Sequence, residues 1–432
     1  MPNAGTVVSY PKTYQPDEAF ALQLDVNDLL KGYRGRFHLP TGAGGQPLIY
    51  FCSHSLGLQP KAVASLMEQE LHEWARLGVE GHFEAPNPWY TYQDLIREPA
   101  ARLVGARPDE VVLMNGLTIN LHLMMETFYR PSAGRYRILM EDPPFPSDLY
   151  AVQSQFRRHG LEPAEALLTF QPRQGEYTIR GNDLEAFLLD QGKEIALVLW
   201  NGVNFLTGQA FYIERITAAA KRQGCVVGFD LAHAAGNLPL RLHDWQVDFA
   251  VWCTYKYLNC GPGAVAGCFV HENHGKNLNL PRLAGWWGND PATRFQMQLQ
   301  PEFIPQPGAA GWQVSNPPIL ALVPLRASLT LFEEVGMPAL RAKSECLTGY
   351  LHYLLERSGG NRFEVITPRD PAERGCQLSL VVRDRPRELL AALEEQGVVA
   401  DFRQPNIIRI APVPLYNTFT EVWKLAQILA RS

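Results

Sequence analysis

Two residues of opposite charge stand where apolar runs end, and together they form a chemical unit. Lys256 follows Phe249-Ala-Val-Trp-Cys-Thr-Tyr255, and Asp230 follows Cys225-Val-Val-Gly-Phe229. An ammonium in apolar surroundings finds a counter-charge or loses its proton, and the neutral amine is a nucleophile toward an aldehyde. A carboxylate placed after an apolar run is poorly solvated and needs a cationic partner to stay ionised. A protonated pyridine nitrogen is such a partner. One ring served by a lysine and an aspartate is what pyridoxal 5'-phosphate (PLP) requires, because the ring draws electrons only while its nitrogen keeps the proton. Each residue also has a plainer reading. The lysine head reaches water along a buried stem, or the aspartate caps the start of the next helix, Leu231-Ala-His-Ala-Ala.

Two further segments fit the same cofactor. Asn115-Gly-Leu-Thr118 leads from a strand into a helix, where backbone N–H groups and the Thr118 hydroxyl can hold a phosphate; the plainer reading is an N-cap by Thr118. Glu141-Asp-Pro-Pro-Phe-Pro-Ser-Asp148 places Phe145 and Asp148 on a loop past another strand end, where a ring can stack on a pyridine face. A turn with Ser147 or Asp148 as helix cap is the alternative.

Parallel strands must position these residues. Apolar runs at 111–115, 136–141, 196–201, 225–230, 248–254 and 266–271 read as strands, with helices at 120–129, 147–159 and 213–223 between them. Nearly all-apolar strands alternating with helices imply a mostly parallel sheet covered on both faces, with ligands at the carboxyl ends of its strands. After about residue 316 come long helical stretches at 319–334 and 344–358. A tail domain follows with strands at 377–382 and 407–411 and helices at 386–396 and 419–430. The expected division is an N-terminal segment 1–60 lacking periodicity and packing with the tail, a large domain 61–316, and a linker helix with a small α+β domain 317–432.

The composition sets limits. With 432 residues, 46% hydrophobic and a net charge of −5 without a basic run, the chain is an ordinary globular one that offers nothing to nucleic acid. The 7 cysteines are scattered with no C-x-x-C pair, which points to a reducing, cytoplasmic setting. No stretch has the roughly 18 apolar residues of a membrane span. Gly261-Pro-Gly-Ala-Val-Ala-Gly267 runs into a strand, not a helix, and so is no dinucleotide fingerprint; His271-Glu-Asn-His274 lacks helical zinc spacing, and no metal site is expected.

Thr254-Tyr-Lys-Tyr-Leu-Asn259 and Asp230-Leu-Ala-His233 resemble the kynureninase family of fold-type I PLP enzymes. So do Tyr50-Phe-Cys-Ser-His-Ser-Leu-Gly57, Leu117-Thr-Ile-Asn-Leu-His122, Phe145-Pro-Ser-Asp148, Gly285-Trp-Trp-Gly288, Ser315-Asn-Pro-Pro-Ile319 and Arg409-Ile-Ala-Pro-Val-Pro-Leu-Tyr-Asn417, in the family's order. The resemblance implies hydrolytic Cβ–Cγ cleavage of L-kynurenine or 3-hydroxy-L-kynurenine to anthranilate or 3-hydroxyanthranilate and L-alanine. It implies that Lys256 carries PLP covalently, Asp230 pairs with the pyridine nitrogen, Phe145 stacks with Asp148 nearby, and Leu117, Thr118, Tyr255 and Trp286 hold the phosphate region. His233, Asn201 and Asn316 match further cofactor-contacting positions. Tyr255 is a candidate proton shuttle, Arg409 falls where the substrate carboxylate binds, and Ser55, His82 and Asn316 match positions around the substrate's aromatic end. A homodimer is implied, with Trp286 reaching the neighbouring subunit's cofactor. The chain departs from the family pattern at His54, where Asn is usual, at Asn201 in place of a hydroxyl residue, and at Cys260 and Pro262 after the lysine. Other fold-type I activities, a class V aminotransferase or a cysteine desulfurase, are the rivals; a desulfurase needs a nucleophilic cysteine on a mobile loop. A non-catalytic PLP-fold binding protein is the remaining alternative, and retention of Lys256 and Asp230 weighs against it.

Overall fold

The structure, a computed structural model, describes residues 10–358 and 362–431. The first nine residues of the segment read as 1–60 lie outside the described residues. A short strand, β1 (Ile49–Tyr50), comes first in the chain. The central sheet follows with β2 (Val111–Leu113), β3 (Arg137–Glu141), β4 (Leu167–Phe170), β5 (Ile195–Asn201), β6 (Val226–Asp230), β7 (Phe249–Trp252) and β8 (Gly267–Val270). Their order is β2-β8-β7-β6-β5-β3-β4, with β8 antiparallel to both neighbours and the strands from β7 to β4 parallel. Six successive residues of β5 are buried, as a strand covered on both faces demands. The four-residue edge strand β4 escapes a reading by periodicity, since three of its residues are only half-buried and one is exposed.

The small sheet is antiparallel, in the order β12-β13-β10-β9, from β9 (Phe363–Val365), β10 (Leu378–Val382), β12 (Asp401–Arg403) and β13 (Ile407–Ile410). The remaining strand, β11 (Val398–Val399), pairs in parallel with β1. The N-terminal segment holds a helix, Glu18–Asn27, that sequence periodicity does not reveal because only Ala21 and Leu24 are buried on it. Asp17 caps its start by accepting from the Phe20 N–H at 2.9 Å. Asp25 in turn accepts from the N–H groups of Phe419 (2.7 Å) and Thr420 (3.0 Å), satisfying donors at the start of the final helix, Phe419–Arg431. Phe51 joins a core with Leu347, Tyr350, Leu378, Ile408 and Val422 of the C-terminal region, separate from the cores on the two faces of the central sheet.

Candidate active site

The parallel register sets Asn201 directly beside Asp230 at the carboxyl ends of β5 and β6. The lysine follows β7 by four residues, on a loop held by the N-terminal segment: the Gly57 N–H donates to Tyr255 O at 2.8 Å. A Cβ at Gly57 would stand 2.3 Å from Lys256 O and 2.4 Å from Asn259 Oδ1, so glycine alone permits this approach. The strand ends enclose a cavity of about 280 Å³ lined by Leu117, Thr118, Phe145, Asn201, Asp230, His233, Tyr255 and Lys256, together with Ser147, Val203, Phe205 and Ala232. Lys256 Nζ lies 5.9 Å from the ring centre of Phe145 and 5.9 Å from that of Tyr255.

One end of the cavity is acidic. Asp230 Oδ1 accepts from the Ala232 N–H at 2.6 Å, but residues 232–237 form turns and not a helix, so it caps no helix. Burial raises Asp230, with the Lys256 charge opposing the rise. Asp148 does not cap its helix, Pro146–Arg158; both of its oxygens are buried without a hydrogen-bond partner. Burial first, and then the Asp230 charge, hold it well above the usual carboxylate range. Glu141, which sequence reasoning passed over, ends β3 as Asp230 ends β6; burial raises it to about 7, and it accepts from Asn201 Nδ2. That bond gives the unusual Asn201 its contact. His233 is kept neutral by burial and by Lys256, and its Nδ1 has no partner. Burial likewise raises Tyr255 and keeps its hydroxyl protonated.

The other end is the start of the helix Leu117–Phe128. No side chain caps it. Thr118 lies inside the first turn with its hydroxyl 3.2 Å from Ser147 Oγ, leaving the first backbone N–H groups for an anion. Asn115 enters the turn with φ of 51°, fixed by Nδ2 donating to Asn120 Oδ1 at 2.9 Å.

Arg409, on β13, is buried beside the cavity wall: Nη1 donates to Phe205 O at 2.7 Å and Nε to Asp401 Oδ2 at 2.6 Å. Ser55 is half-buried with its hydroxyl unpartnered, in the turn that carries His54. Three residues stand away from the cavity within this chain. His82 packs edge-on against Trp89 with Nδ1 2.9 Å from Val79 O, and Asn316 is exposed. Trp286, 37% exposed, meets Trp287 edge-to-face in a patch with exposed Phe83 and Phe295. Cys260 is buried with Sγ toward Leu258 O, and Pro262 lies in a turn between Gly261 and Gly263, both at positive φ; the two line a separate groove.

Residues 340–429 match the family described as Kynureninase C-terminal domain. The chain is 55% identical to a kynureninase of Myxococcus xanthus over 97% of its own length and 98% of the relative's. It is 52% identical to a kynureninase of Koribacter versatilis, over 96% and 97% of the two chains. Among solved structures, a C-DES mutant with glycine covalently linked to its PLP cofactor superposes with a TM-score of 0.76 at 19% identity, covering 92% of this chain and 98% of that one. A cysteine desulfurase from Escherichia coli gives 0.74 at 17% identity, over 93% and 98%. These likenesses carry the fold: a mostly parallel α/β sheet with a smaller C-terminal sheet domain.

Proposed function

The chain belongs to the kynureninase family, and from that premise we propose that it hydrolyses the Cβ–Cγ bond of kynurenine, releasing an anthranilate and alanine. It is an enzyme acting on kynurenine, and its cofactor is PLP. The residues fit that group. The cavity brings together the buried Asp230, which calls for a cation, the uncapped helix start at Leu117 and Thr118, which calls for an anion, and Lys256. The single observation that carries the reading is that Asp230 and Lys256 line one cavity with the uncapped helix start.

Bound there, PLP supplies an aldehyde for the substrate's amine and a ring that accepts the electrons of a carbanion. Lys256 Nζ would hold the cofactor and, as a free amine, would take the α-proton. Asp230 would accept the ring N–H and keep it protonated. Phe145 would pack on the ring, and Thr118 with the helix start would hold the phosphate. Arg409 grips the α-carboxylate as a planar fork. The Tyr255 hydroxyl delivers a proton toward the carbonyl where water adds. Burial raises all seven thiols, and six of the seven cysteines are buried, which disfavours a desulfurase. The exposed patch of Trp286, Phe83 and Phe295 supports a homodimer in which Trp286 completes the neighbouring site. Free cysteines support a reducing, cytoplasmic setting, and no described helix is long and apolar enough to cross a membrane.

Equimolar anthranilate and alanine from kynurenine without a keto acid, with borohydride fixing the cofactor on Lys256 in a peptide map, is the expected result. A keto-acid requirement, or an adduct on another lysine, overturns it. His82 and Asn316, at ring-end positions by resemblance to the family, favour a ring hydroxyl by roughly tenfold or more in kcat/KM. Equal specificity constants for kynurenine and 3-hydroxykynurenine defeat that assignment.

A further inference from the structure

Asp401 occupies the group that the substrate's carboxylate must use. Its Oδ2 accepts from Arg409 Nε at 2.6 Å and Arg403 Nε at 3.0 Å, and Arg409 Nη2 lies 2.5 Å away. A carboxylate arriving at Arg409 therefore competes with one already there. A second partner for Asp401 stands close by. His54 Nε2 is 3.8 Å from the same oxygen, outside hydrogen-bond range. The imidazole is wholly buried, and neither ring nitrogen has a partner. Buried polar groups are almost always paired, so two orphaned nitrogens on one ring need an explanation.

Resting on the reading of Arg409 as the carboxylate clamp, we propose that Asp401 is a resident stand-in for the substrate carboxylate, and that His54 is the positioning residue that receives Asp401 when substrate takes Arg409. A movement of about 1 Å brings the pair into hydrogen-bond range. The proton faces Asp401 on Nε2, since a carboxylate selects the tautomer that donates to it. The exchange leaves no carboxylate stranded: Asp401 keeps Arg403 and gains His54 as it releases Arg409. Cys52, His54 and Asp401 also lie within 4.8 Å of one another at their ligand-type atoms, but Arg403 and Arg409 on Asp401 and the nearby charge of Lys256 oppose a bound cation there.

The exchange carries a proton signature. The groups acting on His54 are Asp401, Arg409 and Lys256, with neutral His233 and Cys52 adjoining and Arg403 beyond Asp401. In the free protein burial first, and then Arg409 and Lys256, hold the ring at about 4 against the pull of Asp401. A closer Asp401, and an Arg409 neutralised by substrate, both raise the proton affinity of the ring. Binding then takes up a proton from solvent on the acid side of neutrality.

The test is calorimetric titration of PLP-loaded enzyme with L-alanine, which carries the same α-carboxylate, at about pH 5.5 in buffers of different ionisation enthalpy. The wild type is expected to take up a larger fraction of a proton per alanine bound than His54→Asn, with His54→Gln standing in if the first variant does not fold. Arg409→Gln is expected to weaken alanine binding by at least about tenfold. Equal proton uptake in wild type and both His54 variants, with Arg409→Gln still weakened, overturns the exchange and leaves the clamp intact. Unchanged binding by Arg409→Gln overturns the clamp and the exchange with it.

Discussion

Two groups of buried ionisable residues occupy opposite ends of the central sheet, and what separates them is how completely the protein satisfies them. At the end away from the cavity, Glu110 Oε1 accepts from the Glu272 N–H at 2.8 Å and meets His243 Nδ1 at 2.9 Å, while Oε2 accepts from the Arg107 N–H at 2.8 Å. Asp248 accepts from the Val227 N–H at 2.8 Å and pairs with His274 at 2.7 Å and Lys221 at 3.0 Å. Glu110, His243 and His271 bring ligand-type atoms within 4.8 Å of one another, yet His271 Nδ1 already accepts from Asn273 and Nε2 faces His243 O. At the cavity end, Asp148 finds no donor and is set against another carboxyl, Asp230, and Glu141 keeps one oxygen without a donor. Residue types are alike in the two clusters. Only the one with open valences is built to receive something from outside.

Predictions that break or sharpen this contrast run from large effects to small. Lys256→Ala removes turnover by at least about 10³-fold, the scale of a lost proton-transfer group; a rate within tenfold of wild type would dismiss the assignment. Asp230→Ala keeps some bound PLP but loses about 10²-fold in kcat, as for one missing electrostatic partner, and near-normal turnover counts against its role. Without PLP the acidic end makes the protein more stable as pH falls. Glu141 is raised from 4.5 to about 7, so the folded state binds the extra proton between these values, and stability present below the unfolded pKa is lost as pH rises through the folded one. Denaturant titrations of PLP-free protein at several pH values should show a slope that Glu141→Gln reduces; an unchanged slope refutes the source. Asp248 has the opposite sign. Burial would raise it, but His274 and Lys221 lower it on balance, so its stabilisation appears above the ordinary carboxylate pKa and fades under acid.

The smallest effects test the comparison most directly. Glu110→Ala strands two backbone N–H groups and costs about 1–3 kcal/mol of stability with kcat unchanged. Asp148→Asn relieves the like-charge coupling of Asp148 to Asp230 and is expected to stabilise the PLP-free protein slightly at neutral pH while impairing activity. Chemical denaturation measures both, and the same sign for the two variants would erase the distinction drawn here.

Lys256 and Asp230 were legible because an apolar run in a parallel sheet fixes both where a strand ends and which edge its last residue faces. Glu141 has the same placement, but Asp-Pro-Pro after it reads as loop and drew attention to Phe145 and Asp148. Asp401 was invisible because its bond to Arg409 depends on antiparallel register between β12 and β13, which pairs residues eight positions apart around a turn. The uncapped helix start needed coordinates as well: Thr118 has the chemistry of a cap, and only its place inside the first turn shows that it does not cap.

The pairing of β1 with β11, and Asp25 on the start of the final helix, join residues near the chain's beginning to its last hundred. On the ribosome this sets a waiting time. Roughly 350 residues separate Tyr50 from Val399, which at roughly 5–20 residues per second means roughly 20–70 seconds before β1 can find its strand. Through that interval Phe51 has no complete core to enter, whereas Leu30, Phe37 and Leu58 of the same segment belong to the core of the large domain. The β1 region therefore stays open to chaperones and proteases until its C-terminal partners have been made.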